Sequence, residues 1–368
     1  MKKRNNFTLW LFYLILILPV IVLFISKKTN TSNEKRALTP FPKLQWTSKF
    51  PEQFELYFND NFGLRELFVE WNSKLKINVF GDSPKPELAL FGKDGFIFYN
   101  AQSDWIYQYY SNTTNISKQE IIKGLSYQKS VKNKLNKLGI DYILGFFPNK
   151  HTIYSDKLPL AMSLQITNKP SFTNEFISYF NENNFDIIDI RKQLFENKNL
   201  YQLYYKLDTH WNSRGAFIGY QNLFNQAFSV LNIKPFDISE FDISPKKIYT
   251  GDLTQMMGLG EGKGKGFSDI EPVFTPKDTT KTFERIKPIE GFPPGTIITK
   301  NNNAKDLRKV VIYRDSYSTA LVQFISLHFK EVIYIKQNKI DIDFVEKLKP
   351  DVVMSICVER YLHAKLTP

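Results

Sequence analysis

The sequence predicts an α/β fold of three layers, in which helices cover both faces of a central, mainly parallel sheet. The first observation is a short, nearly uninterrupted apolar run over residues 140–147, which is typical of a strand buried on both faces. The second is the stretch 214–227, whose apolar residues recur at helical spacing. The third is the alternation of such segments from about residue 117 onward, because strands that alternate with helices favour a parallel sheet with helical crossovers.

The individual elements of this alternating region follow from local signals. Ser117 is a candidate helix N-cap, since Glu120 three residues later completes a capping box. Short apolar runs predict the strands, and amphipathic stretches predict the helices. After residue 117, the predicted helices are 171–182, 214–227, 319–329 and 343–348, and the predicted strands are 140–147, 185–190, 310–313, 332–335 and 352–358.

Three further regions lie outside this alternation. Residues 50–79 carry aromatic side chains at helical spacing and predict an amphipathic helix, and residues 91–98 predict two strands around a glycine turn. Residues 235–305 are rich in glycine and proline, which predicts an irregular insertion and a candidate substrate lid. The run 258–267 lacks the Gly-Lys-Ser/Thr ending of a phosphate-binding loop, so we interpret it as a flexible surface loop.

The amino-terminal segment predicts a single-pass membrane anchor. Residues 7–26 contain no charge and have about the length that a helix needs to cross the hydrocarbon core. A cleaved signal peptide is the alternative, but it would need a shorter apolar stretch and small residues at the cleavage site. We therefore expect a cytoplasmic tip and transmembrane helix over 1–28, a stalk over 29–49, and one domain over 50–368 outside the cytoplasm.

The charge distribution argues against nucleic-acid binding. The net charge is +12, but Lys and Arg are spread thinly and form no run of five or more. Nucleic-acid binding needs a concentrated basic patch instead. Cys357 is the single cysteine, so no intrachain disulfide can form, which favours a bacterial extracytoplasmic protein over a secreted eukaryotic one.

The tripeptide Asp208-Thr209-His210 is the first candidate for chemistry. Only four histidines occur in the chain, and His210 stands two residues after a carboxylate and just before a predicted helix. In extended chain, residues two apart point to the same side, so Asp208 can orient the imidazole of His210 as a general base. The same pair could instead supply two metal ligands, or a helix N-cap beside a core histidine.

Ser316 is the second candidate. It follows the predicted strand 310–313 and precedes a predicted helix, so it lies at the carboxyl end of a strand and at a helix amino terminus. Backbone N–H groups at such a position can stabilise an oxyanion. Its alternative role is that of a helix N-cap. A hydroxyl at the strand end is better explained by acyl transfer than by metal catalysis, and we expect neither a metal nor a cofactor.

Two motifs carry a resemblance to a known family. Asp208-Thr209-His210-Trp211, with the later Asp315-Ser316-Tyr317-Ser318, resembles the SGNH-hydrolase-like alginate O-acetyltransferases of the AlgX and AlgJ type and the related bacterial proteins named for a DHHW motif. The resemblance covers most of the chain outside the predicted membrane segment. Shorter motifs that follow the same order are at residues 41–42, 92–98, 148–150, 251–253 and 358–362.

The resemblance implies a catalytic triad, with Ser316 as nucleophile, His210 as base and Asp208 as the partner of His210. The Asp/His pair precedes the serine, which implies a circularly permuted SGNH-hydrolase-like domain. Thr209 stands where the DHHW motif has its first histidine, and this matches the Asp-Thr-His-Trp form of the alginate enzymes. No carbohydrate-binding module is evident after the catalytic domain, unlike in the longer alginate proteins, so alginate itself is not an expected substrate.

The implied reaction is acetyl transfer to a cell-surface polysaccharide or exopolysaccharide through an acetyl-serine intermediate. Acetyl donors are cytoplasmic, so the resemblance implies a polytopic membrane acyltransferase as the partner that hands acetyl across the membrane. A carbohydrate acetylesterase and a non-catalytic polysaccharide-binding or assembly subunit remain alternatives. The further candidates for contact with substrate or oxyanion are Arg314, Tyr317, Asn149, Lys150 and Trp211.

Overall fold

The computed structural model describes residues 2–25, 38–44, 48–259 and 266–367. They form two compact units, which are Met1–Phe91 with Tyr249–Ser268, and Gly92–Ile248 with Asp269–Pro368. Most of the predicted stalk and the centre of the glycine-rich run lie outside the described residues.

The first unit is helical. Its helices are α1 (Lys2–Ile25), α2 (Phe50–Asn61), α3 (Arg65–Leu75) and, from the later segment, a short helix over Asp252–Met256. The segment predicted to span the membrane is thus helical, but no helix within the described ranges is both long and apolar enough to cross a membrane. The single helix predicted over 50–79 is divided, because Leu64 adopts a left-handed backbone conformation with a φ of 70°.

The second unit carries the strands of the central sheet. Counting strands along the whole described chain from β1 (Ala89–Phe91), this unit contains β2 (Ile97–Tyr99), β3 (Asp141–Phe147), β4 (Ile188–Asp189), β5 (Phe241–Ile248), β6 (Asp269–Pro276), β7 (Glu284–Ile286), β8 (Ile297–Lys300), β9 (Asp306–Tyr313), β10 (Phe329–Ile335) and β11 (Val352–Val358). Seven of them form one sheet in the order β4-β3-β11-β9-β10-β8-β7. Strands β4 to β10 of this order are parallel, and β8 and β7 are antiparallel additions at one edge. The predicted mainly parallel sheet is therefore confirmed, within a mixed sheet.

Helices of the second unit flank this sheet. They are α4 (Ile106–Tyr110), α5 (Lys118–Lys137), α6 (Lys150–Ile153), α7 (Leu160–Ser163), α8 (Phe172–Glu182), α9 (Arg191–Asn197), α10 (Ser213–Gln226), α11 (Phe228–Leu231), α13 (Val322–Ile325) and α14 (Ile342–Leu348). The short helix of the first unit, Asp252–Met256, is α12 in chain order. The capping box predicted at Ser117 and Glu120 is present at the start of α5. One face of the sheet packs against α5, α8 and α14 through alternate side chains, such as Leu144 and Phe146 of β3 and Val353 of β11. Strand periodicity is the reason for this alternation.

Two predicted segments differ from the structure because long-range pairing overrides local pattern. The helix expected over 319–329 is shorter, since Phe329 already pairs with Asp306 in the parallel sheet. Residues 235–305 are not irregular throughout: β5 and β6 pair in antiparallel fashion along eight residues each, and β7 and β8 extend the central sheet. Prolines such as Pro245 and Pro272 concealed this pattern, although edge strands tolerate them.

A buried histidine makes the stability of this unit depend on pH. The Nε2 atom of His328 lies 2.5 Å from the hydroxyl of Tyr220, and its ring stacks on Phe236. Burial, together with the nearby charge of Lys281, lowers the pKa of His328 to about 3. The unfolded chain, with a histidine pKa of about 6.5, binds a proton that the folded state excludes. The free energy of unfolding should therefore fall as the pH drops from about 6.5 towards 3.

Denaturant unfolding at pH 7 and at pH 5 measures this effect. One such group contributes a slope of up to about 1.4 kcal/mol per pH unit, and a His328→Gln variant should have a shallower slope than the wild type. His151 is buried in the same way, with a pKa lowered to about 3 by burial, so part of the slope should persist in the variant. Equal slopes for the two proteins would contradict the assignment of this effect to His328.

Candidate active site

Three neighbouring strands end next to the candidate site, at the carboxyl end of the sheet. Strands β3, β11 and β9 are adjacent and parallel, so their carboxyl ends lie side by side. Asn149 follows β3, Glu359 follows β11, and Ser316 follows β9. In open α/β sheets, ligands bind beyond the carboxyl ends of the strands. The fold therefore favours a ligand-binding site at the carboxyl end of these strands.

Asp208 and His210 reach the site on a loop between α9 and α10. The loop is closed as a hairpin, because Asn212 donates its N–H to the carbonyl of Leu203 (3.0 Å) and Tyr205 donates its N–H to the carbonyl of His210 (3.2 Å). The side chain of Asn212 then caps α10 by accepting two backbone N–H groups. The tip that carries Asp208 and His210 is thus held against the start of a long helix.

The imidazole of His210 bridges a carboxylate and a hydroxyl. Its Nδ1 lies 2.6 Å from Oδ1 of Asp208, which also accepts the backbone N–H of His210 at 3.0 Å. Its Nε2 lies 2.8 Å from Oγ of Ser316. The side chains of His210 and Asp208 are 27% and 22% exposed, so a substrate can reach them. In this arrangement an imidazole can accept the serine proton while the carboxylate fixes its tautomer.

The residue before Ser316, Asp315, fixes the turn around it. The carboxylate of Asp315 accepts the N–H of Tyr317 (2.9 Å) and that of Val358 at the end of β11. Ser316 precedes a 3₁₀ turn over Tyr317–Leu321, yet its side chain makes no capping bond there. The alternative role as a helix N-cap therefore does not fit, and Oγ faces His210 instead.

Arg314, Tyr317 and Trp211 are buried and bonded to protein atoms. Arg314 donates to the carbonyl of Gly295 and to the hydroxyl of Thr319, so it braces the turn. Tyr317 donates its hydroxyl to the carbonyl of Thr209, and Trp211 donates its indole N–H to the carbonyl of Tyr317 at 3.0 Å. These contacts join the loop that carries His210 to the turn at Ser316. The contacts with substrate that were expected of these residues stay predictions.

Asn149 and Lys150 lie beside this junction. Both are buried, and the side chain of Asn149 lines a cavity of about 10 Å³ together with Thr209 and Tyr317. A cavity of this size holds one water molecule. The ammonium of Lys150 donates to the backbone carbonyls of Tyr205 and Asp208, in the loop that carries His210. Lys150 thus contacts the loop and, like Asn149, borders this cavity.

Sequence reasoning gave no role to Glu359 and Arg360, which the structure places at the same junction. Glu359 is buried and accepts the N–H of Asn149 and the hydroxyls of Thr152 and Thr173. Arg360 is bonded to the carboxylate of Asp104, and its guanidinium lies 5.4 Å from the ring centre of Tyr317. Both belong to the motif at 358–362, and a charged pair directly after an apolar strand was the available signal.

The fold and the site together define an SGNH-like α/β protein. Residues 89–285 match the family described as the SGNH hydrolase-like domain of the acetyltransferase AlgX. The match covers more than half of the chain, so the chain belongs to this family. No curated protein matches the sequence significantly.

Solved structures of similar fold come from several bacteria. PatB1 from Bacillus cereus is 18% identical, with a TM-score of 0.53, and the alignment covers 76% of this chain and 97% of PatB1. A DHHW family protein from Eubacterium siraeum is 15% identical, with a TM-score of 0.50 and coverage of 67% and 86%. The O-acetyltransferase domain of Pseudomonas putida AlgJ is 19% identical, with a TM-score of 0.49 and coverage of 75% and 92%. At these identities the likeness to PatB1 and to the DHHW family protein concerns the fold.

Proposed function

We propose that this protein is an O-acetyltransferase that modifies a cell-surface polysaccharide or exopolysaccharide through Ser316, His210 and Asp208. The observation that carries the proposal is the continuous contact from Asp208 through His210 to Oγ of Ser316, at 2.6 and 2.8 Å. Membership of an acetyltransferase family favours acetyl as the transferred group.

The proposed reaction has two half-reactions. In the first, Oγ of Ser316 attacks the carbonyl carbon of an acetyl ester while His210 Nε2 takes the hydroxyl proton. The donor's C–O bond breaks, His210 returns the proton to the leaving oxygen, and acetyl-Ser316 remains. In the second, His210 takes the proton of a sugar hydroxyl, which attacks acetyl-Ser316 and leaves as the acetylated sugar. His210 then returns the proton to Ser316.

The location and the partner of the enzyme are also part of the proposal. A polysaccharide at the cell surface would place the domain outside the cytoplasm. Lys2, Lys3 and Arg4 before the apolar segment 7–26 support that orientation, since a long downstream domain is translocated largely regardless of its charge. A polytopic membrane acyltransferase as the source of acetyl stays a prediction from the family resemblance.

An acetylation experiment tests the proposal. A protein that comprises residues 36–368, after the apolar segment, is incubated with an activated acetyl ester, and peptides are analysed by mass spectrometry for an acetyl group on Ser316. We expect the adduct in the wild type and not in Ser316→Ala or His210→Ala. Adding oligosaccharide acceptors then distinguishes acetyl transfer from hydrolysis by water. A folded protein with neither an adduct nor ester turnover would favour the binding or assembly role.

A further inference from the structure

We propose that Asp269 and Lys150 act as a pair of positioning residues, which hold the backbone of residues 205–208 from two sides and thereby set His210 against Ser316. This inference rests on the proposed function, because it assigns a task to residues that support the same triad. Asp269 opens β6, in the region that the sequence predicted to be irregular.

Asp269 holds the backbone donors of the loop. Its carboxylate is 4% exposed, and its Oδ2 atom accepts the N–H groups of Lys206 and Leu207. Its Oδ1 atom accepts the side-chain amide of Gln202 at 2.6 Å and the N–H of Ile270 at 2.9 Å. Both oxygens are therefore acceptors, and a carboxylate suits this place better than an amide, which would present a donor to donors.

Lys150 holds the backbone acceptors of the same loop. Its side chain is buried, with 1% exposure, and Nζ donates to the carbonyls of Tyr205 (3.1 Å), Lys206 (3.4 Å) and Asp208 (2.7 Å). The carbonyl of Asp208 belongs to the residue that orients His210. An ammonium that bonds three carbonyls of one loop fixes the path of the chain directly before the imidazole.

A neighbouring carboxylate joins this loop to the helix behind it. Glu271, two residues after Asp269 on the same strand, accepts the hydroxyls of Tyr205 and Ser213. Ser213 is the first residue of α10 and also accepts the amide of Gln323 (3.1 Å). The loop is thus connected through side chains to the segment that follows Ser316.

The expected consequence of losing either residue is a displaced imidazole in a folded protein. Removing a charged partner leaves buried backbone groups without their hydrogen bonds, which favours a shifted loop. A displacement of about 1 Å from a distant substitution can lower a rate about 100-fold. Since the two side chains act on one loop, their effects should not add: once the loop has shifted, the second change removes little more.

The test compares Asp269→Asn, Lys150→Met and the double variant with two matched controls. Asp278→Asn alters an exposed carboxylate that accepts the backbone N–H of Thr280. Lys365→Met removes a buried ammonium that donates to Asn338 and Ser355, away from this loop. For each protein we would measure kcat and KM with a small acetyl ester, the rate at which a sulfonyl fluoride labels Ser316, and the melting temperature.

We expect kcat and the labelling rate of both single variants to fall about 10- to 100-fold, with KM nearly unchanged. The double variant should have about the same kcat as the less active of the two single variants. Lys365→Met should lose stability while the folded protein keeps its kcat, and Asp278→Asn should match the wild type. Folded Asp269→Asn and Lys150→Met with wild-type kcat would overturn the inference. Failure of the wild type to label at Ser316 would instead overturn the proposed function.

Discussion

Replacing Ser316 with alanine is expected to lower kcat for acetyl transfer and for ester hydrolysis by about a million-fold. The reason is that Oγ of Ser316, 2.8 Å from His210 Nε2, is the atom that would carry the acetyl group. The side chain is small and caps no helix, so thermal stability should change little. Initial rates with an activated acetyl ester, together with a melting curve, measure both quantities.

Ser318→Ala is the matched control for this substitution. Ser318 lies two residues further along the same turn and is fully buried, and its hydroxyl has no hydrogen-bond partner within the described part of the chain. Its loss should leave activity within about twofold, because the bonds at Ser316 are untouched. A Ser316→Ala protein that kept a tenth of wild-type activity would show that another group is the nucleophile.

Replacing Asp208 with asparagine should lower kcat by about a thousand- to ten-thousand-fold while the fold is retained. The carboxylate oxygen lies 2.6 Å from His210 Nδ1 and accepts a hydrogen bond from an N–H at that atom, which leaves Nε2 without a proton and free to accept that of Ser316. An asparagine amide can donate to Nδ1 instead, which leaves the proton on Nε2. The imidazole would then be unable to act as a base towards the serine.

Steady-state kinetics and the rate of Ser316 acetylation measure this effect. Asp156→Asn serves as the control, since that carboxylate pairs with Lys198 on the surface and not with the site. The Asp208→Asn protein should still bind substrate, with KM near the wild-type value. If its kcat stayed within tenfold of the wild type, His210 would not depend on Asp208 for its orientation.

Local signals predicted much of the fold because their causes are local. The capping box at Ser117 and Glu120 satisfies the helix end within four residues, so it could be recognised without knowledge of the rest of the chain. The apolar run after Gly139 became β3 for a similar reason, since burial on both faces requires apolar residues at nearly every position. The edge strands β5 and β6 were missed because half-exposed strands with proline carry a weak pattern.

Within the candidate site, the sequence by itself determined the pair Asp208 and His210, whose contact spans only two residues. It also placed Ser316 at a strand end. Only the tertiary structure decided that Ser316 and His210, 106 residues apart, meet at 2.8 Å. The same holds for Asp269 and Lys150, which reach the loop from distant segments. The physical reason is that a carboxylate or an ammonium signals its charge in the sequence, whereas its partners depend on which strands lie side by side.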